Sequence, residues 1–216
     1  MKSIAVILFL AAILGQSLAE IENPRSDEEN AGFFMKMVLQ GLLTINGSEC
    51  RSTETLLDTE YRKTLHSLAI SRQNTSFCKL FVNHFEENTK TLVEAIESCV
   101  THRKKGLANA IVTSLVAQAS FMCNADGEHL FEIVNPCVFE TFFSNKRGET
   151  GKCIRQFEDD LRSVNKKDDT ILSIVCSTLI KAKNCFKSPF ESNCPNSITR
   201  NTMEQLYNSN VKVCNT

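Results

Sequence analysis

The sequence predicts an all-α fold, a single-domain, disulfide-stapled bundle of about eight helices. Three observations carry this prediction. Apolar residues recur at helical spacing through nearly the whole chain, and no segment shows sustained two-residue alternation between turn signals. The chain carries ten cysteines, an even set. It opens on an apolar run of secretory type, which places those cysteines in an oxidising export route where five bridges are expected.

Residues 1–19 read as a signal peptide, with Lys2 ahead of the apolar run and Ser17-Leu18-Ala19 as the cleavage site. That run is shorter than the ~20 apolar residues of a bilayer span. No later segment reads as apolar enough, so no stable membrane insertion is expected. Residues 20–30 form a polar, acidic arm, and 31–216 the helical domain. Removing the leader takes away one charge, Lys2, and leaves 23 basic against 25 acidic residues. Such a balance argues against a nucleic-acid partner. His102-Arg-Lys-Lys105, Lys146-Arg147 and Lys166-Lys167 lie between apolar periods and read as solvated loops.

The first helix is predicted over Asp27–Ile45, capped by Ser26 or Asp27 and closed by the turn Asn46-Gly47-Ser48, which is also a glycosylation sequon. Leu57, Tyr61, Leu65 and Leu68 define the second stripe. Asn74-Thr75-Ser76 supplies a second sequon where the third helix opens. That helix carries Cys78, Phe81, Val82, Phe85, Leu92, Ile96, Cys99 and Val100 on one face. Cys78 and Cys99 stand nearly six turns apart, so each must bridge to a neighbouring helix. Gly106 opens the fourth helix, with a stripe of Leu107, Ala110, Ile111, Ser114, Leu115, Gln118, Phe121 and Met122 widened by alanines. Small residues on several sides suit a central position.

Asp126-Gly127 breaks that helix, and Leu130, Ile133, Val134, Cys137, Val138 and Phe142 resume the period, with Pro136 ending or kinking it after Asn135. Cys153, Ile154, Phe157, Leu161 and Val164 mark the sixth stripe. Asp168 or Asp169 is the expected cap of a seventh helix with Leu172, Val175, Cys176, Leu179, Ala182 and Phe186, closed by Pro189 and Cys194-Pro195. Cys176 and Cys185 are half a turn out of phase and face different neighbours. Asn196 or Ser197 starts the last helix through Met203, Leu206 and Tyr207, and Cys214 ties down the end.

Tests for chemistry return nothing. Gly148-Glu-Thr-Gly151-Lys152 lacks the four-residue spacing of a phosphate loop and the hydroxyl after its lysine. His66, His84, His102 and His129 lie in separate segments without ligand spacing and read as exposed or capping residues. No C-x2-C pair suggests zinc, no G-x-S-x-G is present, and Asp126-Gly127-Glu128 lacks the alternating oxygens of a calcium loop. No catalytic residue, metal or cofactor is therefore expected. The expected bridge-forming set is Cys50, Cys78, Cys99, Cys123, Cys137, Cys153, Cys176, Cys185, Cys194 and Cys214, with a pairing that spacing leaves open. The fourteen phenylalanines are chiefly core; Phe121, Phe131, Phe139 and Phe142 are the candidates for lining an apolar cavity between helices.

Met122-Cys-Asn-Ala-Asp-Gly-Glu-His-Leu-Phe131, followed by Pro136-Cys137, resembles the Cys-x-x-Asp-Gly-Asp/Glu segment and following cysteine of the insect 27 kDa haemolymph glycoprotein family. Cys176, Cys185 and Cys194, the Asn196-Ser-Ile198 helix opening and Cys214 are similar too, so the resemblance covers about residues 75–216. It implies a secreted, glycosylated, disulfide-bonded helical protein of body fluid, with no catalytic residues to carry over. The spacing of Cys176, Cys185 and Cys194 is also similar to the last three cysteines of insect odorant-binding proteins, whose C-x3-C pair is absent here. The expectation is an extracellular, non-enzymatic glycoprotein that binds a protein partner or ligand. The alternative is a carrier of small apolar molecules such as fatty acids.

Overall fold

The computed structural model describes Cys50 and residues 53–133, 135–141, 148–162 and 170–215. The leader, the acidic arm, the first predicted helix, Asn46, Phe142, Lys146-Arg147 and Lys166-Lys167 lie outside the described residues. The fold is all-α, and no strand occurs among the described residues. Seven helices of seven residues or more are described: α1 Glu54–Asn74, α2 Phe85–Cys99, α3 Leu107–Asn124, α4 Gly127–Ile133, α5 Glu149–Arg162, α6 Ile171–Asn193 and α7 Ser197–Asn210. They fall into two compact units that divide between Cys123 and Asn124.

In the N-terminal unit α1 packs along α2. Leu57, Thr64 and Leu68 give α1 a buried stripe, and Leu92, Val93 and Ile96 give α2 another. A short helix Phe77–Lys79 leads into α2 through a π turn, Leu80–His84, which adds one residue to the helical register. Phe81 and Phe85 stack across that turn with ring centroids 4.7 Å apart. Cys78, ahead of the π turn, is exposed rather than on the apolar face, because the added residue rotates what precedes it. Gly106 at φ 79° opens α3, a conformation that glycine adopts without strain. Positions 110–123 of α3 include no exposed residue, in agreement with the small-residue reading. The stretch His102–Asn124 is long and apolar enough to cross a membrane, with mean hydropathy 1.4, which corrects the expectation that no later segment is. Burial of Leu107, Ile111, Val112, Leu115 and Met122 within the fold accounts for that composition.

In the C-terminal unit α5 packs on α6 and α4 on α7. Asn135 ends the α4 segment and caps the single turn Pro136–Phe139, with Pro136 at its first position. Two expectations fail on α6. Its cap is Thr170, whose Oγ1 accepts from Ser173 N at 3.2 Å, and not Asp168 or Asp169. Pro189 lies inside the helix, buried, and α6 continues to Asn193 although a proline there forgoes the N–H bond to Cys185 and crowds its carbonyl. Asn196 caps α7 as expected, accepting from Ile198 N at 2.9 Å.

All ten cysteines pair. Cys50–Cys99 and Cys78–Cys123 staple the N-terminal unit, and Cys137–Cys194, Cys153–Cys185 and Cys176–Cys214 the C-terminal one. Cys78 and Cys99 bridge to different partners, as do Cys176 and Cys185. Each loop of 32 to 57 residues closed this way removes roughly 3.5–4.5 kcal/mol of unfolded-state freedom.

Candidate functional site

The densest polar cluster gathers around Glu132 near the C-terminal end of α4. Two inverted triplets meet there, Asn135-Pro136-Cys137 and Cys194-Pro195-Asn196, joined by the Cys137–Cys194 bridge. Asn135 donates its side-chain amide to Glu132 Oε2 at 2.8 Å, and Asn196 donates its own to Oε1 at 3.2 Å. The buried Thr199 hydroxyl also donates to Oε2. Each asparagine meanwhile uses its carbonyl oxygen as a helix cap, Asn135 for Cys137 N at 3.0 Å and Asn196 for Ile198 N. Arg200 Nη1 closes the rim by donating to the carbonyls of Cys194 and Pro195 at 2.9 and 2.6 Å. Asn193 reaches the buried Thr141 hydroxyl at 3.2 Å.

This arrangement holds helix ends. Three donors engage both Glu132 oxygens and occupy the lone pairs a general base would need. Two other acids, Asp126 and Glu97, also hold helix ends. Asp126 Oδ1 accepts from His129 N at 2.9 Å and from His129 Nδ1 at 2.7 Å, capping α4. The backbone bond, reinforced by the imidazole, holds the Asp126 carboxyl below the usual carboxylate range. Glu97, on α2, accepts from Gly106 N at 2.8 Å and Ala108 N at 3.2 Å and so caps α3. Tyr207 donates its hydroxyl to Leu179 O at 2.8 Å, and partial burial pushes its phenol up. Among the described residues no group of three His, Cys, Asp or Glu side chains converges as a metal site.

The other sequence-predicted residues fall as follows. His66, His84 and His102 are exposed, and His129 pairs with Asp126. Asn74 is the last residue of α1, and Ser76 of its sequon is exposed. Phe121 is half-buried on α3 in the N-terminal unit, whereas Phe131 on α4 in the C-terminal unit projects to solvent, 77 % exposed. Phe139 belongs to the turn Pro136–Phe139. Phe121 and Phe131 thus belong to different units, and Phe142 lies outside the described residues. His102-Arg-Lys-Lys105 is a loop between helices as expected, but Arg103 within it is half-buried, with Nε and Nη2 shut from solvent.

Sequence reasoning passed over Glu132 and Glu97 and took Arg103 only as part of a solvated loop. The inverted Asn-Pro-Cys and Cys-Pro-Asn triplets were the available signal for Glu132. Glu97 and Arg103 had none, because each acts through a turn that no periodicity describes.

A family described as "Protein of unknown function (DUF1397)" matches residues 59–215. No curated protein and no solved structure matches the chain. The family match begins inside α1 and runs through both units to the residue after Cys214, so it takes in nine of the ten cysteines and the whole Glu132 cluster. On that span the chain belongs to the DUF1397 family.

Proposed function

We propose that this chain is a secreted, non-enzymatic glycoprotein of body fluid that acts by binding a partner or ligand. The observation that supports it best is the cysteine set. Five bridges with no free cysteine mark an oxidising compartment and leave no thiol for chemistry. The engagement of Glu97, Asp126 and Glu132 in helix ends points the same way. The resemblance to insect 27 kDa haemolymph glycoproteins belongs to this proposal, as does use of the sequons at Asn46 and Asn74.

The test is expression with the native leader in cultured insect cells. The protein is expected in the medium, with a mass that falls on peptide-N-glycosidase treatment and a smaller fall in Asn74→Gln. The purified protein is then offered ester, peptide and glycan substrates. Turnover abolished by a single point substitution overturns the non-enzymatic reading.

A further inference from the structure

The two sequons share one pattern. Asn46-Gly-Ser-Glu-Cys50 and Asn74-Thr-Ser-Phe-Cys78 each place a cysteine four residues after the acceptor asparagine, and each cysteine is the earlier member of its bridge. In the fold Asn74 is the last residue of α1. Ser76 opens the next helical segment, its Oγ accepting from Lys79 N at 3.4 Å and its carbonyl from Leu80 N at 2.9 Å. Thr75 donates its hydroxyl to Ser71 O at 2.7 Å. The chain beyond is anchored twice, by the Cys78–Cys123 bridge to the last turn of α3 and by the burial of Leu80 and Phe81.

Glycan transfer needs this stretch drawn out. The asparagine amide nitrogen attacks C1 of the first sugar of a polyprenyl-diphosphate oligosaccharide. A C–N bond forms as the C–O bond to the diphosphate breaks; the diphosphate leaves, and one amide proton passes to a base of the transferase. The enzyme must hold the asparagine together with the hydroxyl two residues on. A frayed helix end and exposed side-chain hydrogen bonds yield to it easily. A closed bridge does not. The two residues from Ser76 to Cys78 span at most about 7 Å, less than the ~10–12 Å diameter of a helix such as α3. An enzyme closing round the bridged sequon therefore meets α3.

We propose that Asn74 is glycosylated only while Cys78 and Cys123 are unbridged, so that closure of this bridge ends the interval for modification. This rests on the glycoprotein reading and adds when its Asn74 site is open. Cys123 stands 45 positions after Cys78, so the sequon is complete before the bridge can form. Closure oxidises the two thiols to the disulfide and reduces an exchanging disulfide of the export route to two thiols.

The full chain is made in insect cells in which synthesis of the lipid-linked donor is blocked. It is then offered to solubilised oligosaccharyltransferase with that donor, and transfer is read from the mass of the Asn74 peptide. Four forms are compared: oxidised wild type, Cys78→Ser/Cys123→Ser, Cys153→Ser/Cys185→Ser, and wild type reduced, alkylated and unfolded. The third form opens a bridge of the other unit and so controls for general loosening. Unfolded chain and Cys78→Ser/Cys123→Ser should accept about tenfold more glycan than oxidised wild type, because the site must otherwise open against the bridge. The Cys153→Ser/Cys185→Ser variant should match oxidised wild type.

Equal transfer to oxidised wild type and Cys78→Ser/Cys123→Ser overturns the proposal. Transfer confined to the unfolded chain also overturns it, since the helix end alone would then close the site. An equal gain in Cys153→Ser/Cys185→Ser does the same, since any lost bridge would then suffice. These three results leave the glycoprotein reading standing. No transfer even to the unfolded chain overturns use of the Asn74 sequon itself.

Discussion

Asn135 and Asn196, sixty-one positions apart in sequence, donate their side-chain amides to opposite oxygens of one carboxylate, that of Glu132. Each caps a helical segment with the oxygen of the same amide. The joint therefore fixes two helix starts and a disulfide with a single charge. In Glu132→Gln, one oxygen and one amide face three donors, and the amide meets donors where it needs an acceptor. The expected cost is about 2–3 kcal/mol, seen as a fall in Tm of roughly 5–10 °C. A variant that melts with wild type would remove Glu132 from the stability of the C-terminal unit.

Asp126 supplies a pH-dependent contribution. Its carboxyl is held below the usual range, near 4, by the His129 backbone N–H first and the imidazole next. A depressed folded pKa stabilises the protein above the unfolded value, and that contribution is lost as pH falls through the folded one. Asp126→Ala should melt below wild type at pH 7, and the two midpoints should converge on acidification below about pH 4. A gap that stays constant from pH 7 to pH 2 is the contrary result.

Thr64 is 2 % exposed on the buried stripe of α1, and its hydroxyl has no hydrogen-bond partner among the described residues. Thr64→Val keeps the shape and removes the unsatisfied oxygen. It should stabilise by about 1 kcal/mol, raising Tm by roughly 2–4 °C. A lower Tm by differential scanning calorimetry would mean that the hydroxyl is satisfied in solution.

The bridges make a test of their own. None joins a cysteine up to Cys123 with one from Cys137 onward. A protease site built into Asn124-Ala125-Asp126 should, once cut, release two fragments on a denaturing gel run without reductant. A single band that parts only on reduction would contradict this pairing.

The sequence made the helices legible because apolar residues at three- and four-residue spacing mark a buried face, and α1, α2 and α3 follow that rule. Hydropathy marks less of the buried face on α6 and α7. There the buried positions include Thr178, Thr199 and Thr202, and hydropathy counts those as surface. A threonine in a helix is cheap to bury when its hydroxyl returns to a carbonyl one turn back, as Thr202 does to Ile198 at 2.8 Å and Thr89 to Phe85 at 2.8 Å. Pro189 misled for a related reason: its cue is local, and packing along α6 outweighed it. The caps at Asn135 and Asn196 were readable from residue type, whereas the carboxylate joining them depends on α4 meeting α7, which no local pattern encodes.

The division of the bridges at Cys123 bears on the order in which the chain is made. Synthesis delivers the chain from its N-terminus at about 5–20 residues per second. Once Cys123 has emerged, every thiol of the first unit has its partner already made. From that point no cysteine of that half depends on one still inside the ribosome. The second set can then sort among six thiols instead of ten, which reduces the possible pairings from about 900 to 15. A chain so arranged carries part of its own oxidation schedule in the positions of its cysteines.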